Sequence, residues 1–309
     1  VRNGKASIIS ERCIDCGECI RVCPQHAKSA ERDSFDILSN YKYNIALPAP
    51  TLYGQFNNLD DIDYVLTAFK MVGFDDVFEV SKGAELISEA TRLLLKRGEL
   101  KKPVISSACP AVCRLIRVRF PNLVSHVLEL NSPMEEAARL ARQKAHTDTG
   151  LAQEDIGVFF ITPCPAKITA IRQPIGLEKS SLNGAFAIKD IYPKLLEQMN
   201  RLQDSGNLRQ SGIIGVGWAA SGGESAALLH ERYIAVDGIE NIIKVLEEIE
   251  DEKLNNVDFI ELNACTGGCV GGVLCAENPF IARSRLQHLR KYLPVSCNHL
   301  DGEQVPDDM

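Results

Sequence analysis

The 309-residue sequence lacks the features that mark several classes of protein. It contains no apolar run of the roughly 18 residues that a membrane-spanning helix needs, and its polar beginning has no apolar signal-peptide core. An excess of basic residues is also missing, since 34 Lys and Arg stand against 41 Asp and Glu, for a net charge of −7. We therefore expect a cytoplasmic protein with no nucleic-acid or membrane partner.

Cysteine, in contrast, is abundant in the sequence. There are 11 cysteines, an odd number, and with no export signal we do not expect a disulfide framework, because the cytosol keeps thiols reduced. Clustered cysteines in that compartment indicate metal ligands or catalytic groups. Their spacing decides which metal centre to expect.

The chain after about residue 34 has the pattern of an α/β fold, in which short apolar runs alternate with longer helical stretches. The predicted strands are Asn44–Leu47, Val104–Ile105, Gly157–Ile161, Ile213–Gly217 and Phe259–Leu262. Three of them run into loops that carry Cys109, Cys164 and Cys265. Because ligand crevices form at the carboxyl ends of strands in open α/β sheets, we expect these loops to converge on one site.

The first cysteine cluster consists of Cys13, Cys16, Cys19 and Cys23, with Pro24 next. This C-x₂-C-x₂-C-x₃-C-P run is typical of bacterial ferredoxins, where the thiolates hold a 4Fe-4S cluster. A zinc site is the alternative, but four cysteines so close together and followed by proline favour the iron–sulfur cluster. We expect residues 1–34 to form part of a ferredoxin-like domain.

The fourth cysteine of such a run binds the other cluster in two-cluster ferredoxins, yet this chain has a single run. Cys23 is therefore expected to lack its own cluster, and the first half of the domain to lie upstream of Val1. Residues 1–12 are expected to form a hairpin that turns at Asn3-Gly4. The alternative is that Cys23 closes a single local cluster.

Three further segments carry cysteine: residues 106–110 read S-S-A-C-P, residues 162–167 read T-P-C-P-A-K, and residues 261–272 read E-L-N-A-C-T-G-G-C-V-G-G. The glycines of the last segment suit a backbone pressed close against a bulky inorganic ligand. In this order the segments resemble the signature loops of the FeFe (iron-only) hydrogenase catalytic domain, T-S-C-C-P, M-P-C-x-x-K-x-x-E and E-x-M-x-C-x-x-G-C-x-x-G-G. Ala49-Pro50-Thr51 also resembles a segment of that family.

The resemblance implies a two-lobed α/β catalytic domain over residues 35–309, with mixed sheets flanked by helices and the cluster site between the lobes. It implies an H-cluster, which is a 4Fe-4S cube joined to a two-iron subcluster that carries CO, cyanide and a dithiolate bridge. The implied cube ligands are Cys109, Cys164, Cys265 and Cys269, of which Cys269 also bridges to the two-iron subcluster. Lys167, Pro50 and Thr51 are implied to contact the cyanides.

The family interconverts H₂ with protons and electrons, so the resemblance implies an oxidoreductase that exchanges electrons with a ferredoxin-type redox partner protein or a further iron–sulfur module. Maturation proteins that assemble the two-iron subcluster are implied as further partners.

Several positions depart from the family pattern. Ala108 stands where family members have a cysteine that relays protons, and a methyl group cannot carry a proton. An outward pair of carboxylates is reduced to Glu89, because Arg92 replaces the second acid, while Thr162 and Asn263 replace methionines of the second and third loops. These departures resemble the sensory branch of the family, in which slow turnover suits hydrogen sensing. The alternative is a non-catalytic, hydrogenase-like 4Fe-4S protein in electron transfer or cluster assembly.

Overall fold

The structure is a computed structural model that describes residues 7–302 and 304–309, so the expected turn at Asn3-Gly4 lies outside the described residues. Residues 7–34 have little regular structure and contain one short α-helix, α1 (Glu18–Arg21). The α/β body follows, and its strands lead into the remaining cysteine loops.

Within the described ranges the strands form two sheets, and every pairing between named strands is parallel. The strands are β1 (Tyr43–Pro48), β2 (Asp76–Val77), β3 (Val104–Ile105), β4 (Ile156–Thr162), β5 (Gly184–Ala187), β6 (Tyr233–Asp237) and β7 (Phe259–Asn263). The sheet orders are β2-β1-β4-β5 and β3-β7-β6. The expected two-lobed α/β architecture is confirmed. The sheets are parallel where mixed sheets were expected, because helical crossovers connect their strands.

The helices of the body cover both sheets. They are α2 (Asp63–Val72), α3 (Val80–Arg97), α4 (Pro110–Arg119), α5 (Pro133–Thr149), α6 (Pro165–Arg172), α7 (Ile188–Met199), α8 (Ile213–Gly217), α9 (Gly223–Ala227), α10 (Ile239–Glu250) and α11 (Pro279–Leu289). In the part of the chain that the structure describes, none of the helices is long and apolar enough to cross a membrane.

The first sheet is buried on both faces, as parallel sheets usually are. Successive side chains of β4 point to opposite faces, so Phe159 and Ile161 enter one apolar core while Val158 and Phe160 enter another. The first core includes residues of α2 and α7, and the second includes residues of α5 and α6. The second sheet packs on α4 and α10.

Ile213–Gly217 was expected as a strand but forms the short helix α8. A short apolar run does not distinguish a buried strand from a buried helix by periodicity. A Cβ at Gly215 would lie 2.2 Å from the Ser81 carbonyl oxygen, so glycine is what lets α8 pack this closely against α3. The other four expected strands are observed as β1, β3, β4 and β7.

Candidate metal centre

The cysteine loops meet where the carboxyl ends of the two sheets come together. Cys109 follows β3, Cys164 follows β4, and Cys265 and Cys269 follow β7. All four residues line one small cavity, part of which is open to solvent. The structure therefore brings together the four residues expected from the sequence to hold the cube, at the expected place between the lobes.

Cys109 and Cys164 occupy equivalent positions in the fold. Each immediately precedes a helix, α4 or α6, and each is followed by proline at the start of that helix. Proline suits the first helical position because its missing N–H would have no partner there. The partial positive charge of a helix N-terminus favours a thiolate at both cysteines.

The two residues that replace family methionines make polar contacts in the ligand loops. The Thr162 hydroxyl accepts a hydrogen bond from the Cys164 N–H at 3.1 Å and donates to the Cys164 carbonyl oxygen at 3.3 Å. Asn263 lines the cavity, and its Nδ2 donates to Glu261 at 2.7 Å. Thr162 thus fixes the loop backbone and Asn263 the Glu261 side chain, through hydrogen bonds that a thioether does not donate.

Glycines of the third loop also allow neighbouring loops to pack closely. A Cβ at Gly268 would lie 2.3 Å from the Ser221 backbone nitrogen, and a Cβ at Gly272 would lie 2.3 Å from the Pro163 carbonyl oxygen. Both glycines line the cavity, yet the space beside them is filled by neighbouring loops. They therefore permit close packing of one loop on another, and their expected close approach to an inorganic ligand stays a prediction.

The thiols of the cavity are poorly suited to ionise without a counter-charge. Burial, followed by negative charge on Cys109, raises the pKa of the Cys164 thiol to about 12. Burial also raises the pKa of the Cys109 and Cys265 thiols. Metals bind cysteine as the thiolate, so a metal cluster among these side chains would supply the missing positive charge. The donor set therefore fits an iron–sulfur cluster.

The arrangement is that of a cluster site and not of a single-ion site. Within residues 7–302 and 304–309, no three His, Cys, Asp or Glu side chains gather closely enough to hold one metal ion. The cysteines of a 4Fe-4S cube bind different iron atoms, so they surround the cube instead of meeting at one point. Four cysteines around a cavity satisfy this requirement.

Lys167 lies on the first turn of α6 and lines the same cavity. Loss of water around the ammonium opposes its charge, but the negative charges of Cys269 and Cys164 outweigh this effect and raise the pKa of Lys167. The ammonium Nζ also lies 5.7 Å from the centroid of the Phe160 ring. Lys167 thus places a charged hydrogen-bond donor at the cavity.

Pro50 and Thr51 begin a 3₁₀ turn, Pro50–Gln55, that packs against the 3₁₀ turn Cys269–Gly271. They adjoin the cavity wall without being part of it. Thr51 is fully buried, and its hydroxyl has no hydrogen-bond partner among the described residues. Buried hydroxyl groups are seldom left unpaired, so the orphaned Thr51 oxygen fits the edge of a site for a bound group with polar ligands.

A buried acid beside the first loop escaped the sequence analysis. The Ser106 hydroxyl donates to the Glu224 carboxylate, with 2.7 Å to each of its oxygens, and accepts a hydrogen bond from the Ala108 N–H at 3.2 Å. Burial, followed by negative charge on Glu261, raises the pKa of Glu224 to about 8. Its only sequence signal is an acid set between Gly222-Gly223 and small residues.

Glu89 is on α3 and is not part of the cavity wall. Its carboxylate accepts a hydrogen bond from the Leu300 N–H at 2.8 Å, and Nδ1 of His299 lies 3.6 Å from the same oxygen. The structure therefore joins Glu89 to the segment that follows α11. Its expected place on a proton path stays a prediction.

The N-terminal cysteine segment packs directly on the cavity loops. Cys16 lines the same cavity as the four loop cysteines. Asp15 forms an ion pair with Arg114 of α4, with 3.1 Å between Oδ2 and the guanidinium, and both side chains are largely buried. Arg21 donates to the Gly271 carbonyl oxygen at 2.6 Å. The two cysteine clusters are therefore neighbours in space.

The N-terminal thiols differ in their surroundings. Burial raises the pKa of Cys13 and of Cys16. Backbone N–H groups, first that of Ala27 at 3.4 Å from the sulfur, lower the pKa of Cys23. The structure thus separates Cys23, a thiol held by backbone amides, from the two partly buried thiols.

Comparison with known families gives the context for this site. Residues 42–176 and 196–273, more than half of the chain, match the family model of the iron only hydrogenase large subunit, C-terminal domain. The chain belongs to this family. Residues 6–29 match the 4Fe-4S binding domain model, so the ferredoxin-like character of the N-terminal segment is confirmed.

Two curated relatives of the chain are longer than it. Iron hydrogenase 1 of Clostridium pasteurianum is 25% identical over an alignment of 290 positions, gaps included, which spans 75% of this chain and 50% of that protein. The NADP-reducing hydrogenase subunit HndD of Solidesulfovibrio fructosivorans is 22% identical over an alignment of 330 positions, gaps included, which spans 84% of this chain and 55% of that protein. The chain thus spans about half the length of the curated relatives it matches.

Solved structures share the fold. Two structures of the FeFe-hydrogenase HydA1 from Chlamydomonas reinhardtii superpose with TM-scores of 0.61 and 0.62 at 17% and 16% identity. Each comparison covers 82% of this chain and 87% of the other. At this identity the likeness establishes the architecture of the two-lobed body.

Proposed function

We propose that this chain is an iron–sulfur hydrogenase that interconverts H₂ with protons and electrons at an H-cluster. The observation that carries the proposal is the meeting of Cys109, Cys164, Cys265, Cys269 and Lys167 around one cavity between the lobes. Turnover is slow and of the sensory type in this proposal, because Ala108 replaces the cysteine that relays protons in prototypical members.

The four cavity cysteines would hold the cube, and Cys269 would also bridge to the two-iron subcluster. When bound, the H-cluster supplies the H₂-splitting chemistry and accepts the electrons. The Lys167 ammonium would donate a hydrogen bond to one cyanide, which suits a charged donor in a site with little water. The Thr51 hydroxyl, which lacks a protein partner, and the Pro50 backbone would contact the other cyanide.

Proton transfer in this chain cannot use a thiol at Ala108. Ser106 and Glu224 can hold a proton beside Ala108, and they are hydrogen-bonded to each other. A carboxyl group whose pKa lies near 8 is protonated at neutral pH and can give up its proton without a large energetic cost. We assign proton delivery to this pair.

Electrons would enter through the N-terminal segment. Residues 1–34 form part of a ferredoxin-like domain in this proposal, and residues 35–309 form the catalytic domain. Cys13, Cys16, Cys19 and Cys23 are the proposed ligands of the N-terminal iron–sulfur cluster. The position of Cys16 in the wall of the main cavity supports a short route between the centres. A ferredoxin-type protein or a further iron–sulfur module would deliver the electrons.

The proposal is tested by assaying H₂ evolution and uptake with chain matured anaerobically in the presence of the maturation proteins. We expect slow but measurable turnover, which Lys167→Ala abolishes and Lys189→Ala, in the first turn of α7, leaves unchanged. Full iron–sulfur loading with no turnover in either direction would favour the alternative, a non-catalytic 4Fe-4S protein in electron transfer or cluster assembly.

A further inference from the structure

The N-terminal cysteine segment places a cation against the third cysteine loop. Arg21 lies between Cys19 and Cys23 in the sequence and is the last residue of α1. Its Nη2 donates a hydrogen bond to the Gly271 carbonyl oxygen at 2.6 Å, although the two residues are 250 positions apart in the chain. A charge that belongs to the first cysteine cluster in sequence thus lies beside the loop that carries Cys269.

The packing of α1 fixes this position. Gly17 precedes α1 with a φ of +82°, and a Cβ at Gly17 would lie 2.7 Å from Cγ2 of Val273 and 3.2 Å from Cγ of Pro165. Glycine therefore permits both the turn into α1 and its close approach to the body. The Arg21 N–H donates to the Gly17 carbonyl oxygen at 3.1 Å, so the same turn also holds the backbone of Arg21.

Gly271, which accepts the Arg21 hydrogen bond, lies against a proposed cluster ligand. A Cβ at Gly271 would lie 3.6 Å from the Cβ of Cys265, which is an ordinary contact distance. Burial raises the pKa of the Cys265 and Cys275 thiols, and the positive charge of Arg21 opposes that rise in both. Arg21 is not in the cavity wall, so its charge acts on the metal centre from the other side of the third loop.

Arg21 has a counter-charge one helical turn away. Oε1 of Glu18 lies 2.9 Å from Nε of Arg21, and the two side chains are 37% and 38% exposed. Ion pairs this exposed contribute little to stability, so either charge can be removed while the fold is kept. The pair therefore offers two substitutions of opposite charge at nearly the same place.

We propose that Arg21 raises the reduction potential of the cube held by the four cavity cysteines, a proposal that rests on the cluster site assigned above. Reduction adds one electron, and therefore one negative charge, to the cube. Net charge and hydrogen bonding around an iron–sulfur cluster are among the factors that set its potential. A cation beside the third loop favours the reduced cube, because charges interact more strongly in the protein than in water. The docked N-terminal segment thus makes the main cube a better acceptor for the electrons that the segment delivers.

The test is a redox titration of the full chain, with its clusters reconstituted from iron and sulfide in the absence of maturation proteins. The reduced clusters are followed by electron paramagnetic resonance, and the signal of the main cube is the one that Cys109→Ala removes. We expect Arg21→Gln to lower the equilibrium constant for reduction of this cube about fivefold, which is about 40 mV at 59 mV per tenfold change. Arg12→Gln, which removes an exposed charge from the same segment, should leave the midpoint potential unchanged.

Two further variants separate charge from docking. Arg21→Lys keeps the charge and should keep the potential close to that of wild type, whereas Glu18→Gln removes the counter-charge and should raise it. A purely structural role for Arg21 predicts instead that Arg21→Lys shifts the potential as much as Arg21→Gln, because both variants lose the guanidinium.

The outcomes distinguish this proposal from the proposed function. A wild-type midpoint in Arg21→Gln, or an equal shift in Arg21→Lys and Arg21→Gln, would overturn the role of Arg21 and leave the cluster site intact. If wild type gave no signal that Cys109→Ala removes, the cluster site itself would be wrong, and the role of Arg21 would be wrong with it.

Discussion

The Ser106 hydroxyl and the Glu224 carboxylate lie 2.7 Å apart, and the same hydroxyl accepts the N–H of Ala108. The residue that cannot relay a proton therefore adjoins a pair that can. Glu224 is buried at the start of α9, where Gly222-Gly223 turns the chain toward the first loop. The contact connects the first cysteine loop, in which Ala108 replaces the family cysteine, to a protonatable carboxyl group in a distant part of the sequence.

Glu224→Gln should lower H₂ turnover by about a hundredfold, because a positioned acid contributes about that much to a proton-transfer step. In wild type the rate should also fall as pH rises through about 8, since the carboxyl then loses the proton that it donates. Turnover is measured against pH in matured protein, with Glu240→Gln, an exposed acid on α10, as the control. A Glu224→Gln profile identical to that of wild type would exclude Glu224 from proton delivery.

Ala108→Cys should raise turnover, because a thiol at this position returns a proton carrier to the first loop. A tenfold gain needs only about 1.4 kcal/mol off the barrier. The gain should be partial, since Arg92 still replaces the second outward acid. H₂ turnover and the infrared bands of bound CO and cyanide are measured on the same matured protein. Unchanged turnover with unchanged bands would show that this relay alone does not set the rate.

Arg114→Gln should loosen the N-terminal segment, because it leaves Asp15 without the partner that holds it to α4. We expect amide exchange of residues 13–22 to rise about fivefold, corresponding to about 1 kcal/mol, as for a partly buried ion pair. Arg119→Gln, which breaks the more exposed pair with Glu247, is the matched control. Equal exchange in both variants would contradict a docking role for Arg114.

The stability of the chain should depend on Glu79. Burial raises the pKa of this carboxyl to about 7, although the Gln210 N–H and the Tyr53 and Ser211 hydroxyls oppose the shift. A raised pKa means that the folded chain holds a proton that the unfolded chain has released. The free energy of unfolding should therefore fall between pH 4.5 and about 7, by roughly 3 kcal/mol from this group.

Urea denaturation at a series of pH values measures this dependence. Glu79→Gln should flatten it, because a neutral amide does not titrate, whereas Glu250→Gln, exposed at the end of α10, should leave it intact. A Glu79→Gln curve as steep as that of wild type would assign the pH dependence to other groups.

The sequence predicted the cysteines of the candidate metal centre better than the residues that pack around them. Cys109, Cys164 and Cys265 could be placed together because each follows a buried strand, and parallel strands end at one edge. The prediction of a strand at Ile213–Gly217 was wrong, because the packing of this run against Ser81 depends on a distant segment that a single sequence does not reveal. Glu224 was missed for the same reason, since its partner Ser106 lies 118 residues away. Local spacing in the sequence was enough to predict the candidate cysteine ligands. It could not predict which buried acid lies beside their loops, because that depends on contacts between distant residues.

The measurement that tests the central claim most directly is an infrared spectrum of the anaerobically matured chain in the region where CO and cyanide stretch. Both kinds of band should be present in wild type and in Cys297→Ala, whose exposed thiol lies outside the cavity. They should disappear in Cys269→Ala, which removes the proposed bridge to the two-iron subcluster. Iron–sulfur absorption without these bands in wild type, under conditions that load another FeFe hydrogenase in parallel, would contradict the account.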